Sequence, residues 1–152
     1  MERVILFNLL HLLATAYAVG RGGAPERFAG MALLLATLAT RVAQRQFPAR
    51  FASVEWGVFG VDLVLLVALL VIALFADRFW PLWVTALHGL GTCSHFVKLL
   101  DLEVLRTAYA TLSAVWSYPI LILLVSGTVR HQQRLRRAGS DPDWSRPGAA
   151  AS

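Results

Sequence analysis

From Trp56 to Ala76 the chain carries a single ionisable side chain, Asp62, among valines, leucines, isoleucines and alanines. A helix rises about 1.5 Å per residue and the hydrocarbon of a bilayer is about 30 Å thick, so about 20 such residues form one crossing. Two further segments meet this condition, Phe79 to about Lys98 and about Thr107 to Val129. Two weaker ones precede them. Val4 to Gly20 contains Asn8 and His11, and Phe28 to about Phe47 contains Arg41 and Arg45, which snorkel if that helix reaches the headgroups. The expected fold is an all-α, polytopic transmembrane helical bundle of five helices, at about 4–20, 28–47, 56–76, 79–98 and 107–129, with four helices as the alternative. This bundle fills residues 1–129. Residues 130–152 are expected to form a basic juxtamembrane extension, "RHQQRLRR", and a disordered tail too rich in Gly, Ser, Pro and Ala to order itself.

Composition agrees with lipid as the solvent. Of the 152 residues 57% are hydrophobic and only 15% charged, a balance unsuited to a water-facing globule. The net charge of +5 lies in loops and tail, where it meets anionic headgroups, with Arg130, Arg134, Arg136 and Arg137 as the expected contacts. Nucleic acid is excluded as a partner, because no folded polar domain combines exposed aromatics with that charge. The single cysteine, Cys93, forbids an internal disulfide. The stretch Ala16-Tyr17-Ala18 fits the cleavage pattern of a signal peptide, but Glu2 beside Arg3, and Asn8 and His11 within the apolar run, favour an uncleaved first helix. With five spans and the tail in the cytoplasm, the inner side holds Arg21, Arg27, Arg78 and five tail arginines. The outer side holds Arg3, Arg41, Arg45, Arg50, Lys98 and Arg106, so the positive-inside rule prefers tail-in only slightly.

The fourth segment raises a question about function. Thr85, His88, Thr92 and His95 recur at spacings of 3, 4 and 3, which lines them along one narrow face of a helix. Lipid offers them no partner, so this seam turns toward other helices. Counting back across a turn at Asp77-Arg78 sets Asp62 level with Cys93 to His95 and predicts an Asp62–His95 pair. The same counting about Glu103 sets His95 level with Thr111 and His88 with Tyr118. The expected interior polar cluster is Asp62, His88, Thr92, His95, Thr111 and Tyr118. Thr85, Gly89 and Cys93 form a row of small residues suited to close helix contact. Asp77 and Arg78 read as helix terminators, Lys98 as an interfacial cation pairing with Asp101 or Asp62, and Phe79, Trp80 and Trp83 as an interfacial aromatic belt.

Polar seams in membranes serve as interhelical hydrogen bonds or as sites of use, and the residues leave three uses open. His11 and His88, near mid-depth on different helices, are the candidate ligands of a haem b iron. Asp62, His95, His88 and Tyr118 are spaced for proton exchange. A polar pocket walled by Trp116 would take a quinone. No catalytic motif is present: Gly89-Leu-Gly91 follows no strand, Ser94 and His95 point about 100° apart on a helix, and neither Cys-x-x-Cys nor His-Glu-x-x-His occurs. No metal site and no enzyme are expected.

The run "ADRFWPLWVTALHGLGTCSHFVKLLD", followed by "AYATLSAVWSYPILILL", resembles a family of small polytopic inner-membrane proteins of alphaproteobacteria that share a "DR-aromatic-WPLW" segment and a "WSYP" element. The likeness covers about the C-terminal half. It implies an inner-membrane helical bundle and brings no activity. The expected role is a non-enzymatic accessory or interaction protein of the bacterial inner membrane, multi-pass, with lipid and another membrane protein as partners. The alternative is a haem- or quinone-binding redox subunit or a proton-handling membrane protein.

Overall fold

A computed structural model describes residues 2–46, 56–99 and 105–145. Among these the chain is all-α, with five helices and no strand: α1 Glu2–Arg21, α2 Ala24–Gln46, α3 Trp56–Phe75, α4 Trp80–Leu99 and α5 Leu105–Ala138. Helices α1, α2 and α5 are longer than the apolar segments, and α3 and α4 match them to within a residue. Helix α2 starts at Ala24 because Pro25 suits a first helical turn, where its missing N–H has no partner to lose. Helix α5 runs through "RHQQRLRR" for 34 residues, past the ends of its neighbours.

Consecutive helices pack antiparallel, and α5 returns to close against α1; α2 and α5 also touch, whereas α1 meets neither α3 nor α4 among the described residues. The α2–α5 contact is made where Gly30 lies against Leu124. The bundle therefore has two parts, a triangle of α1, α2 and α5 and a four-helix part of α2, α3, α4 and α5. A continuous apolar core of Ala18 on α1, Ala29 and Leu33 on α2, Leu65, Leu69 and Ile72 on α3, Trp80 and Val84 on α4, and Ile120 and Leu124 on α5 joins them.

The outside of the bundle is apolar as well. Leu6, Leu9 and Leu13 on α1, Leu35 and Leu38 on α2, Val64, Val67 and Leu74 on α3, and Leu90 on α4 are all exposed. Among the described residues two helices are long and apolar enough to cross a membrane, at Val4–Arg21 and Trp56–Phe75. The third segment was expected as a strong span and the first as a weaker one. The histidines and threonines of α4 dilute what its apolar residues supply.

The segment after α5 corrects the expectation of a disordered tail. Gly139 adopts φ 71°, a left-handed conformation in which any side chain is strained, and its N–H reaches the Leu135 carbonyl to cap the helix. The chain then folds back. Trp144 forms an antiparallel bridge with Ala76, and the Ser145 N–H and hydroxyl both donate to the Phe75 carbonyl at 2.8 Å. Residues 146–152 lie outside the described residues.

Candidate functional site

Two polar centres occupy the bundle, one anticipated by spacing and one not. In an antiparallel five-helix chain the α1–α2 turn, the α3–α4 turn and the C-terminal tail come to one end. There they build a buried network around Arg78, whose side chain is 1% exposed. Its Nε lies 3.3 Å from Glu26 Oε1, an ion pair without hydrogen-bond alignment. Its NH1 donates to Asp141 Oδ2 at 2.5 Å, and its NH2 to Asp143 Oδ1 at 3.1 Å and to the Pro142 carbonyl at 3.3 Å. Arg134 donates from Nε to the other oxygen of Asp141 at 2.7 Å. Trp80 donates its indole N–H to Glu26 Oε1 at 3.0 Å. Gly127 makes room for that indole: a Cβ there would stand 2.6 Å from the Trp80 nitrogen.

His131 completes the group. Its Nδ1 lies 2.6 Å from Asp141 Oδ2 and 3.3 Å from Arg78 NH2. One nitrogen cannot donate to the carboxylate and accept from the guanidinium together, so the shorter contact sets the proton on Nδ1. Burial on its own would raise the Asp141 pKa. The hydrogen bonds from Arg78, His131 and Arg134, with the Arg78 charge, outweigh it and hold this carboxyl below the ordinary 3.8. Two guanidiniums face three carboxylates, leaving one negative charge that a His131 imidazolium would cancel.

Glu26, His131 and Asp143 bring one ligand atom each within 4.8 Å of one another, the spacing of a metal cluster. The guanidinium is already there, since Arg78 NH2 lies 3.1 Å from the Asp143 carboxylate and 3.3 Å from His131. An ion bound by both would stand against a like charge. The network is a structural clasp with arginine as its cation. Glu26 is fully buried, yet its Oε2 has no hydrogen-bond partner. Such an orphaned oxygen costs stability unless the ion pair around it is kept intact.

Several sequence expectations change here. Arg78 does not merely terminate a helix. Trp80 does not join the exposed belt of Phe79 and Trp83 but is buried on Glu26. Arg134, expected at lipid headgroups, donates to Asp141, and Arg130, Arg136 and Arg137 are exposed. Sequence reading missed the clasp because its parts lie far apart along the chain and were assigned separately, to two turns, the aromatic belt, the juxtamembrane extension and the tail. The usable signal was parity: both turns and the tail share an end, so Glu26, Asp141 and Asp143 face Arg78.

The second centre lies between α3 and α4. His95 Nε2 and Asp62 Oδ2 are 2.8 Å apart, and His88 Nε2 donates to the Asp62 backbone carbonyl at 3.0 Å. Phe59 lies beside the His95 ring, with centroids 5.6 Å apart. Thr92 is buried, but its hydroxyl donates to the His88 carbonyl of its own helix, as Thr85 does to Pro81. The cluster is thus narrower than the seam. Tyr118 packs edge-on against Phe7 at 5.2 Å and its ring takes no part. The side chains of Thr111 and Lys98 lie outside the described residues. Cys93 is exposed, so the row with Thr85 and Gly89 does not pack as a unit; Gly89 lies against Leu66 of α3.

His11 belongs to neither centre. It is buried in the α1, α2 and α5 part, with Nδ1 3.4 Å from the Thr37 hydroxyl, Nε2 without a partner, and Phe7 at 6.0 Å. These partners differ from that of His88, which is the Asp62 carbonyl. Arg41 does not simply extend outward but donates to Asn8 Oδ1 at 2.6 Å.

The fold and its two centres define an all-α bundle with ionisable groups paired across its helices. No family model, curated protein or solved structure matches the chain.

Proposed function

We propose that this chain is a multi-pass integral membrane protein of a bacterial inner membrane, acting as a non-enzymatic accessory or interaction protein. The observation that carries this reading is the distribution of polarity. Large apolar side chains are exposed on every helix, while Asp62, His95, Glu26 and Arg78 turn inward to one another. In water so wide an apolar exterior would drive aggregation, whereas in lipid it is the required surface. Only 22% of the α3 span is buried, where the core helix of a water-soluble domain would be mostly buried. The clasp fixes the C-terminal segment against one end of the bundle and leaves a firm surface for a partner.

Cys93 supplies the test. It is the only cysteine, is exposed on α4 and lies level with Asp62. In intact membranes a membrane-impermeant maleimide should leave it unmodified, and after solubilisation in SDS the label should be complete. Full labelling in intact membranes would overturn the membrane reading.

A second reading, proton handling, is favoured by the Asp62–His95 contact. Carboxylate with neutral imidazole, and carboxylate with imidazolium, differ by one proton, so this pair exchanges a proton without moving a helix. Asp62→Asn and His95→Gln should each reduce proton flux in proteoliposomes, and unchanged flux in both variants would remove the reading.

A further inference from the structure

We propose that the clasp end of the bundle binds an anionic phospholipid of the surrounding bilayer, its acyl chain in a groove between α2 and α3 and its phosphate on nearby arginines. This rests on the membrane reading above and adds a particular ligand class to it. The groove is open to the outside and has a volume of about 610 Å³, within the roughly 300–1,000 Å³ of small-ligand sites. Ala32 of α2 and Ala68 of α3 keep its floor open, and Val71 and Phe75 form one wall. Phe28 and Trp144, with ring centroids 6.0 Å apart, frame the end nearest the clasp. All of these side chains are apolar apart from the indole N–H, so the groove takes hydrocarbon and rejects a headgroup.

The charge beside it supplies the other half of an amphiphile. The clasp uses Glu26, Asp141 and Asp143 internally on Arg78 and Arg134. Arg21, Arg27, Arg130, Arg136 and Arg137 are exposed at the same end, and none forms an ion pair among the described residues; Asp77 is the exposed acid there. That surface is therefore strongly positive. Arg27 precedes the groove residue Phe28 and is anchored by its Nε to the Gly22 carbonyl at 2.9 Å, which leaves both terminal nitrogens for a ligand. A guanidinium fork of this kind matches the oxygens of a phosphate. Hydrocarbon groove and phosphate-binding charge meet within one turn of α2. The partner that satisfies both is a lipid with a net negative headgroup, and a soluble polyanion would leave the groove unfilled.

The test is native mass spectrometry of the full chain in mild detergent, titrated separately with dioleoyl phosphatidylglycerol and dioleoyl phosphatidylcholine. The wild type should retain the anionic lipid at ~10-fold lower concentration than the zwitterionic one, the equivalent of about 1.4 kcal/mol. Arg27→Gln with Arg130→Gln, both on exposed side chains, should bring the two lipids to equal retention. Ala68→Phe, which fills the floor, should abolish retention of either while unfolding at the wild-type temperature. Equal retention of both lipids by the wild type, or retention unaltered by either variant, would overturn the site. The membrane reading fails separately: an accessible Cys93 in intact membranes sinks it whatever the lipid result, whereas a shielded Cys93 with equal retention removes only the lipid site.

Discussion

Replacing Arg78 by Met isolates what the clasp contributes. The change keeps the length of the side chain and removes the charge. Arg78 and Arg134 hold the same carboxylate, Asp141, at nearly the same distance, 2.5 and 2.7 Å. They differ in burial, with side chains 1% and 43% exposed. If distance governed, the two substitutions would cost alike; if burial governs, they separate widely. Removing one partner of a buried pair costs about 3–5 kcal/mol because the abandoned charge stays desolvated. A half-exposed partner costs about 0–1 kcal/mol, since water replaces it. At about 2–4 °C per kcal/mol for a chain of this size, Arg78→Met should lower Tm by roughly 6–20 °C and Arg134→Met by at most about 4 °C. Thermal unfolding of purified protein in one detergent measures both. Adding Glu26→Gln and Asp141→Asn to Arg78→Met should recover part of the loss, because the stranded carboxylates are then neutral. Equal losses for the two arginines, or no recovery in the triple variant, would refute the argument from burial.

Two further outcomes follow from the same end of the molecule. The depressed pKa of Asp141 means that its contribution to stability is fully present above 3.8, the ordinary value, and is lost as pH falls through the lower folded value. Hydrogen exchange of residues 139–145, corrected for intrinsic rate, should stay slow above the ordinary 3.8 and rise as pH falls through the lower folded value, with that rise absent in Asp141→Asn; a pH-independent corrected rate in the wild type would contradict this. Gly127→Ala should displace the Trp80 indole from Glu26 and cost about 1–3 kcal/mol, whereas Gly60→Ala, with nothing within 4 Å of its new methyl, should be neutral or stabilising by up to about 1 kcal/mol. Similar losses at the two glycines would show that the tight contact at Trp80 is unimportant.

What the sequence disclosed, and what it withheld, follows from range. Helical periodicity and length are local, so five helices were legible, as was the level of Asp62 opposite His95, which needs only one tight turn to count from. Arg78 was misread because a charge in a two-residue turn looks solvated until the tail is known to return over it. The tail looked unable to order itself because Gly, Ser and Pro were weighed as composition. In place, Gly139 supplies a left-handed cap and Asp141 and Asp143 find a buried cation. The seam on α4 was overread for a different reason. Threonine hydroxyls inside a helix satisfy themselves on the carbonyl one turn back, so Thr85 and Thr92 share a face with the histidines without sharing their partners.

The division of the bundle into two parts also decides which polar residues can act together. Helices α1 and α3 do not touch among the described residues, so His11 and Asp62 are not in direct contact even though both are polar groups on apolar spans. His95 and Asp62 are in contact at 2.8 Å. Residues without shared partners add their effects to within about 0.3–0.5 kcal/mol, and residues in contact couple by about 0.5–3 kcal/mol. A double-mutant cycle of Asp62→Asn with His95→Gln should therefore show coupling in that higher range, and one of Asp62→Asn with His11→Gln should be additive. Unfolding in detergent reads both cycles, and flux in proteoliposomes repeats them for any proton exchange at Asp62. If His11 coupled to Asp62 as strongly as His95 does, the polar groups would form one connected path through the bundle, and the separation of its two parts would be wrong.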